Sequence, residues 1–291
     1  MTPSFPSSLS PSRANDFQSC PLKFRLRSID RIPEEPSAAA LRGNLIHTAL
    51  ERLFDLPARE RNIESTKELF RQAWLELAAT DAPGIRALLT DAKLPSEPAN
   101  AAQFADAMIA KVEPLLSTYF ALEDPSRLAP HAREMAVAVE IAEGFSIRGF
   151  IDRVDKTSSG LIRIVDYKSG KAPRTGFESS AMFQMRFYAL AWWRLTDEIP
   201  AMLQVLYLGS NEALRYEPVE QDLLNTELKI LGIRAQIQQA VVAGFSPKPS
   251  RLCGWCSYQQ LCPQYGGVTP EPPPTHMWES TSFEKLNLGE A

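Results

Sequence analysis

The sequence predicts a mixed α/β fold, with a sheet core flanked by helices and an all-helical insertion. Three observations carry this. Residues 149–168, GFIDRVDKTSSGLIRIVDYK, alternate at period two on either side of a polar turn at Ser158, Ser159 and Gly160, as a hairpin does. A strand–helix–strand passage from 161 to 208 implies parallel pairing through a right-handed crossover. Residues 57–130 show helical periodicity around 60–80 and 98–122, broken by Pro83, Pro95, Pro98 and Pro125.

The chain has 291 residues, 44% of them hydrophobic, enough for a substantial core. No apolar run approaches a membrane span and Met1 begins no signal-like segment, which predicts a cytoplasmic protein with no membrane partner. A net charge of −4 does not advertise nucleic acid, yet a local basic groove suffices for phosphate contact. Four cysteines without an export signal suit metal ligation better than disulfides.

Taken in order, the Ser/Pro-rich residues 1–11 are expected to be loose. Ser12 is the expected cap of a short helix through Ser19, and Pro21 opens the next at its tolerated first position. Arg13, Lys23, Arg25, Arg27 and Arg31 make this region basic, through either a solvated or a DNA-facing surface. Residues 38–54 form a strongly amphipathic helix in which Gly43 and His47, four apart, share a face. A mid-helix glycine costs about 1 kcal/mol relative to alanine, so a clearance beside His47 is its expected reason. In the helical insertion, Pro114 is expected to interrupt or bend the last helix. The sheet begins near Arg133, where Met135, Val137, Val139 and Ile141 alternate with polar or small residues. Glu134 and Glu140 are read there as surface salt-bridging groups.

If the hairpin folds about Ser159, Asp152 faces Asp166, Val154 faces Ile164 and Phe150 faces Lys168, all on one side. Directly opposed residues have Cβ atoms about 5 Å apart, and two carboxylates at that distance repel by about 3 kcal/mol at an effective dielectric of about 20. An ordinary cross-strand pair returns less than about 1 kcal/mol, whereas a divalent cation would offset the repulsion. Lys168 brings a positive charge to the same spot. A solvated face could show such alternation, but Leu161, Ile162, Ile164 and Val165 mark a buried strand. A helix follows from about Glu178 to Leu195, with Gln184 and Tyr188 four apart on one face. Residues 202–208 and 213–219 form a second hairpin, and a helix spans about 220–243. No G-x-x-x-x-G-K-[ST] string occurs, so the chain carries no motor of its own. Near the end, Cys253, Cys256 and Cys262 are spaced C-x2-C-x5-C, leaving Cys20 as the fourth cysteine. Four thiolates suit zinc or an iron–sulfur cluster, and chemistry alone does not choose. Residues 266–291 are expected to be disordered.

The strings GNLIH, GFIDRVD, DYKSG, QMRFY and the four-cysteine frame resemble, in order, the motifs GxxxH, GxxDRxD, DYKxG and QxxxY of the RecB-type exonucleases within the PD-(D/E)XK nucleases. The resemblance implies a restriction-endonuclease-like domain over residues 12–265. It also implies Asp152 and Asp166 as metal ligands, joined by His47 and the Tyr167 carbonyl, and Lys168 as a catalytic lysine. Gln184 and Tyr188 are implied as further catalytic residues, on a helix packed beside the active site where the glutamine approaches the substrate strand. The family often has a glutamate matching Glu134 best. The implied metal is Mg²⁺ or Mn²⁺, one or two ions. The cysteine frame, 253–262 with Cys20-Pro21, is similar to the [4Fe–4S] staple of AddB-type subunits and of CRISPR adaptation nucleases, with zinc as the alternative. The implied function is metal-dependent hydrolysis of DNA, single-stranded or with a free end, in repair or recombination. A separate helicase is a candidate partner. The alternatives are a non-catalytic DNA-end-binding scaffold and a CRISPR adaptation nuclease.

Overall fold

The computed structural model describes residues 6–34, 37–80, 84–174 and 179–274. Two residues, Ser8–Leu9, form β1 inside the segment expected to be loose, and Leu9 is fully buried. Helix α1 (Pro11–Ser19) is capped by Ser10, whose side chain accepts from the Arg13 amide, so the cap lies two residues before the expected Ser12. Pro11 explains the shift, because it sits at the helix start where a missing N–H costs nothing. Helices α2 (Pro21–Phe24) and α3 (Ala38–Leu53) follow.

The insertion is helical as expected: α4 (Ile63–Ala79), α5 (Ile85–Asp91) and α6 (Ala105–Leu122). Helix α6 runs through Pro114 as a single element rather than breaking there. Pro83 lies outside the described residues. Strands β2 (Pro130–Ala142), β3 (Phe145–Lys156) and β4 (Ile162–Lys168) come next, then α7 (Ser179–Thr196). The expected helix start at Glu178 lies outside the described residues. Strands β5 (Met202–Tyr207) and β6 (Glu212–Tyr216) and helix α8 (Glu220–Ala243) complete the core.

The six strands form one mixed sheet with β3 as its hub. One edge of β3 carries β2, antiparallel along almost its whole length. The other edge carries β1, parallel at Ser146 and Ile147, and β4, antiparallel from Arg153 to Lys156. Residues 148–152 lie between these two partners, and the sheet opens there. Strand β5 pairs parallel with β4, as the crossover through α7 requires, and β6 closes the second hairpin.

Strand β4 is buried on both faces, which accounts for its nearly continuous apolar run. Ile162 and Ile164 enter one core with α1, α7 and α8, while Val165 and Tyr167 enter another with α3 to α6. Alternation therefore sends Asp166 toward α7 and Tyr167 toward the helical lobe. In β2 and β3 the alternation breaks. Ala132 and Met135 pack against the same core, as do Val154 and Ile151, although residues three apart on a regular strand face opposite ways. The break falls at Glu134, which has a left-handed φ of 43°.

Of the expected disordered tail, residues 266–270 return onto the preceding turns. The Gly267 amide donates to the Cys262 carbonyl, and Arg25 donates to the Pro270 carbonyl. Residues 275–291 lie outside the described residues. Among the described residues, no helix is long and apolar enough to cross a membrane.

Candidate active site

The hairpin register agrees with the sequence where the ladder exists: Val154 faces Ile164 and Arg153 faces Val165. The ladder ends there. Asp152 and Asp166 are not a paired rung, because the strands part at the point where both carboxylates lie. Instead, Asp152 Oδ2 accepts from the Tyr167 amide at 2.8 Å. Phe150 does not reach Lys168; it pairs with Ala136 and is 45% exposed.

Past the fork, Asp166 is 2% exposed and ion-paired with Lys168 Nζ at 2.8 Å. Gln184 spans the pair from α7, its Nε2 donating to Asp166 Oδ1 at 2.8 Å and its Oε1 accepting from Lys168 Nζ at 3.0 Å. Burial alone would lower the Lys168 pKa, but the Asp166 charge and hydrogen bond override it and hold the ammonium above its ordinary range. Tyr188, one turn on, is buried and lies 3.4 Å from Gln184 Nε2. A Cβ at Gly149 would meet its ring at 2.7 Å, so the first residue of the GxxD string is glycine to admit Tyr188. Trp192 packs in the core as a structural residue.

On the other side of the fork, His47, Glu134 and Asp152 place potential ligand atoms within 4.8 Å of one another, the only such trio among the described residues. Helix α3 supplies His47, whose Nδ1 lies 3.4 Å from Asp152 Oδ2 and whose Nε2 lies 2.9 Å from the Tyr167 carbonyl. Gly43 gives its clearance to Ser169, whose Oγ would lie 3.4 Å from an added Cβ, rather than to His47 itself. Glu134 is a correction to the sequence reading, which left it on the surface. The β2–β3 register sets it across from Asp152, between the pairs Arg133–Arg153 and Met135–Ile151. Burial and the facing Asp152 charge raise its pKa to about 7. Burial, then the Asp166 charge, likewise holds Asp152 far above the usual carboxylate range. Burial lowers His47, which is therefore neutral and able to ligate above neutral pH. The signal for Glu134 was the glutamate expected on this strand; its left-handed backbone was not readable from sequence.

Tyr167 is the joint between these groups. Its amide holds Asp152, its carbonyl faces His47, and its hydroxyl accepts from Arg153 Nη1 at 2.6 Å. Arg153 is 1% exposed, with Nη2 bonded to both Glu123 oxygens at 3.0 and 2.8 Å and Nε to Asp155 at 3.2 Å. Glu123 ends α6, so this network ties the helical lobe to the site strand.

Two open grooves meet at Gln184. One, of about 620 Å³, is lined by Asp152, Phe150, Arg148 and the start of α1; the other, of about 410 Å³, is lined by His47, Lys168 and Lys171. Of the basic N-terminal residues, Lys23 and Arg27 pair with Asp16 and Arg25 with Asp30, so these three serve the local structure.

The four cysteines are free thiols lining one cavity of about 330 Å³ at the junction of the chain's two ends. Backbone amides of Lys248 and Ser250 donate to Cys20 and Cys253 at 3.4 and 3.2 Å. Among the described residues, no three of the sulfurs lie within 4.8 Å of one another.

A mixed sheet flanked by helices, with carboxylates, a lysine and a glutamine gathered where its strands part, defines a class of metal-dependent phosphodiester-cleaving folds. The chain matches the PD-(D/E)XK nuclease superfamily over residues 8–263 and belongs to it. Nucleases of this superfamily use divalent metals and act on DNA, and an acidic site able to take such an ion is present here. The chain is similar to the Gene 69 protein of Mycobacterium phage L5, at 24% identity over 285 residues, covering 87% of this chain and 95% of that protein. It is also similar to a crystal structure named "Putative exonuclease" from Eubacterium rectale, at 13% identity, 92% and 91% coverage and a TM-score of 0.49. The crystal structure of SSO0001 matches at 14% identity, 77% and 95% coverage and a TM-score of 0.38.

Proposed function

We propose that this chain is a divalent-metal-dependent DNA exonuclease of the RecB type, acting on strands with a free end in repair or recombination. One observation carries the reading: His47, Glu134 and Asp152 converge beside the Lys168–Asp166–Gln184 cluster, where the two grooves meet at Gln184. The residues fit a cation. Two half-buried carboxylates face each other and are driven toward protonation, the state expected of acids that lack a compensating positive charge. His47, Glu134, Asp152 and Asp166, with the Tyr167 carbonyl, would hold Mg²⁺ or Mn²⁺; the oxygens suit either and the imidazole leans toward Mn²⁺. Bound there, the ion would lower the pKa of a water and stabilise charge at the phosphodiester.

The chain's own groups do the positioning. Tyr167 N–H orients the Asp152 carboxylate, and Gln184 fixes Lys168 against Asp166. The Lys168 ammonium, kept charged, offers stabilisation to a phosphoryl oxygen. Tyr188 supports Gln184 from the next turn.

For the cysteines, our reading is a [4Fe–4S] cluster. A single zinc with Zn–S bonds of about 2.3 Å draws its sulfurs to roughly 3.8 Å apart. The four thiols line one shared cavity, and the C-x2-C-x5-C spacing with a distant Cys20 supports the cluster. Anaerobically purified protein should carry about four irons per chain; one zinc and no iron would replace the cluster.

The test is incubation of purified protein with end-labelled single- and double-stranded DNA, with Mn²⁺ or with chelator. Metal-dependent shortening from an end by the parent, absent in Asp166→Ala and Lys168→Ala, is the expected result. Cleavage of closed circles would make the enzyme an endonuclease. Binding without cleavage would leave the scaffold reading, and full activity in either variant would remove the site assignment.

A further inference from the structure

Each of the two facing carboxylates, Glu134 and Asp152, has an arginine beside it in sequence. Arg133 precedes Glu134 and Arg153 follows Asp152, and the two arginines are themselves cross-strand partners in the β2–β3 ladder. Like charges directly opposite each other on paired strands are unfavourable. Both guanidinium groups are compensated from the same place, the end of helix α3. Arg133 donates through Nη1 to the Glu51 carbonyl and through Nη2 to Asp55 Oδ1 at 2.7 Å. Arg153 lies over the ring of Phe54, the residue that caps α3, with its guanidinium carbon 5.5 Å from the ring centre. The Tyr167 ring lies 5.6 Å from the same carbon, and Glu123 reaches Nη2 from the end of α6.

Helix α3 is the element that delivers His47, and Glu51 lies one turn beyond it. His47, Glu134 and Asp152 therefore come from three separate elements, α3, β2 and β3, whose spacing decides whether their ligand atoms converge. The polar contacts of His47 itself run to Asp152 and to the Tyr167 carbonyl. A cation between these groups would replace those contacts, so they cannot hold the helix at the right distance once it is bound. The arginine contacts, one turn and more away from the ligand atoms, survive loading. A positive group at a helix C-terminus is also favoured by the helix dipole.

We propose that Arg133 and Arg153 are positioning residues for the metal site: they fix the end of α3 against β2 and β3 and so set the distance from His47 to Glu134 and Asp152. This rests on the reading of those three groups as cation ligands and goes beyond it, because neither arginine offers a ligand atom. The plain alternative is that the two arginines only stabilise a helix end. A comparison within α3 separates the two readings. Arg52, in the same last turn, makes a two-pronged ion pair with Glu76 of α4, at 2.8 and 2.7 Å. That pair is as exposed as the other: the side chains of Arg52 and Glu76 are 33% and 59% exposed, those of Arg133 and Asp55 29% and 61%. It joins α3 to the helical lobe alone, not to the strands that carry the carboxylates.

The experiment measures Mn²⁺ binding to the full chain without DNA, from the EPR signal of the free ion, beside thermal melting in chelator. Arg133→Met removes a partly exposed pair, so the chain should keep its fold with Tm lowered by about 4 °C or less. It should bind Mn²⁺ about 10-fold more weakly or worse, the range for losing a group that orients metal ligands. Asp55→Ala, which removes the far end of the same pair and leaves β2 untouched, should weaken Mn²⁺ in the same direction. Arg153→Met, which also frees Glu123, should lose at least as much as Arg133→Met. Arg52→Met should lower Tm by a similar amount and bind Mn²⁺ as the parent does. Parental affinity in Arg133→Met and Asp55→Ala would overturn the inference, as would an equal loss in Arg52→Met, which would tie affinity to helix stability alone. A parent that takes up no Mn²⁺ refutes this inference together with the metal site. A parent that binds Mn²⁺ without cutting DNA, with the arginine variants weakened as expected, removes the nuclease reading and leaves this inference standing.

Discussion

Replacing Glu134 by glutamine removes one of two carboxylates that face each other across β2 and β3, with oxygens within 4.8 Å. Two unit charges at that distance repel by about 3 kcal/mol at an effective dielectric of about 20. Glu134 is only half-buried, so solvent screening reduces the usable figure to about 1–2 kcal/mol. The sign follows from the direction of the shift. Its folded pKa is raised to about 7, above the ordinary value of about 4.3, so the folded state binds the extra proton and stability falls as pH rises. The cost to the metal-free parent is complete above the folded pKa and vanishes below about pH 4.3. Glu134→Gln should therefore melt about 2–6 °C above the parent in chelator at pH 9, and with it near pH 4.5. Added Mn²⁺ should reverse the order at pH 9, because the parent alone keeps the full donor set and gains stability by mass action. Differential scanning fluorimetry at the two pH values, with and without metal, measures all of this. A variant that melts at or below the parent in chelator at pH 9 would refute the reasoning, as would an equal gain at both pH values.

Three further outcomes are expected. Gln184→Ala should lower cleavage by an order of magnitude or more while costing about 1 kcal/mol of stability, since it loses its bonds to Asp166 and Lys168 but little packing; thermal melting against activity per folded molecule separates the two. Arg153→Met should cost about 3 kcal/mol in chemical denaturation, because it removes the buried partner of Glu123 and leaves Arg163 alone to pair with Glu123 and Asp155, whereas Tyr167→Phe, losing one bond, should cost about 1 kcal/mol. Cys20→Ala should release both chain ends together in limited proteolysis and bleach the anaerobic protein. Closing so long a loop removes several kcal/mol of unfolded-state entropy, on the order of 5–6 in the cross-link model, and a variant as protease-resistant as the parent would exclude the staple.

Much of this architecture was legible in the sequence. The turn at Ser158–Gly160 sets the hairpin register, and Val154 does face Ile164, because a tight turn leaves strand pairing little choice. The helices holding His47 and the Gln184–Tyr188 pair follow from local periodicity and end close to where it ends. What the sequence could not decide lies where strands part or rotate. Asp152 and Asp166 flank a fork, not a rung, because Tyr167's amide claims Asp152. Glu134 joins the site while Glu140 stays exposed, although both occupy even positions of one alternating strand. Arg153 has no role assigned by the sequence beyond its place in the GFIDRVD string, and Glu123 reaches it from the end of a helical lobe distant in sequence. Register and helix periodicity are properties of neighbours along the chain, so sequence determined them by itself. The face a residue shows at a left-handed kink, and the partner that makes a buried charge affordable, depend on segments brought together only by folding.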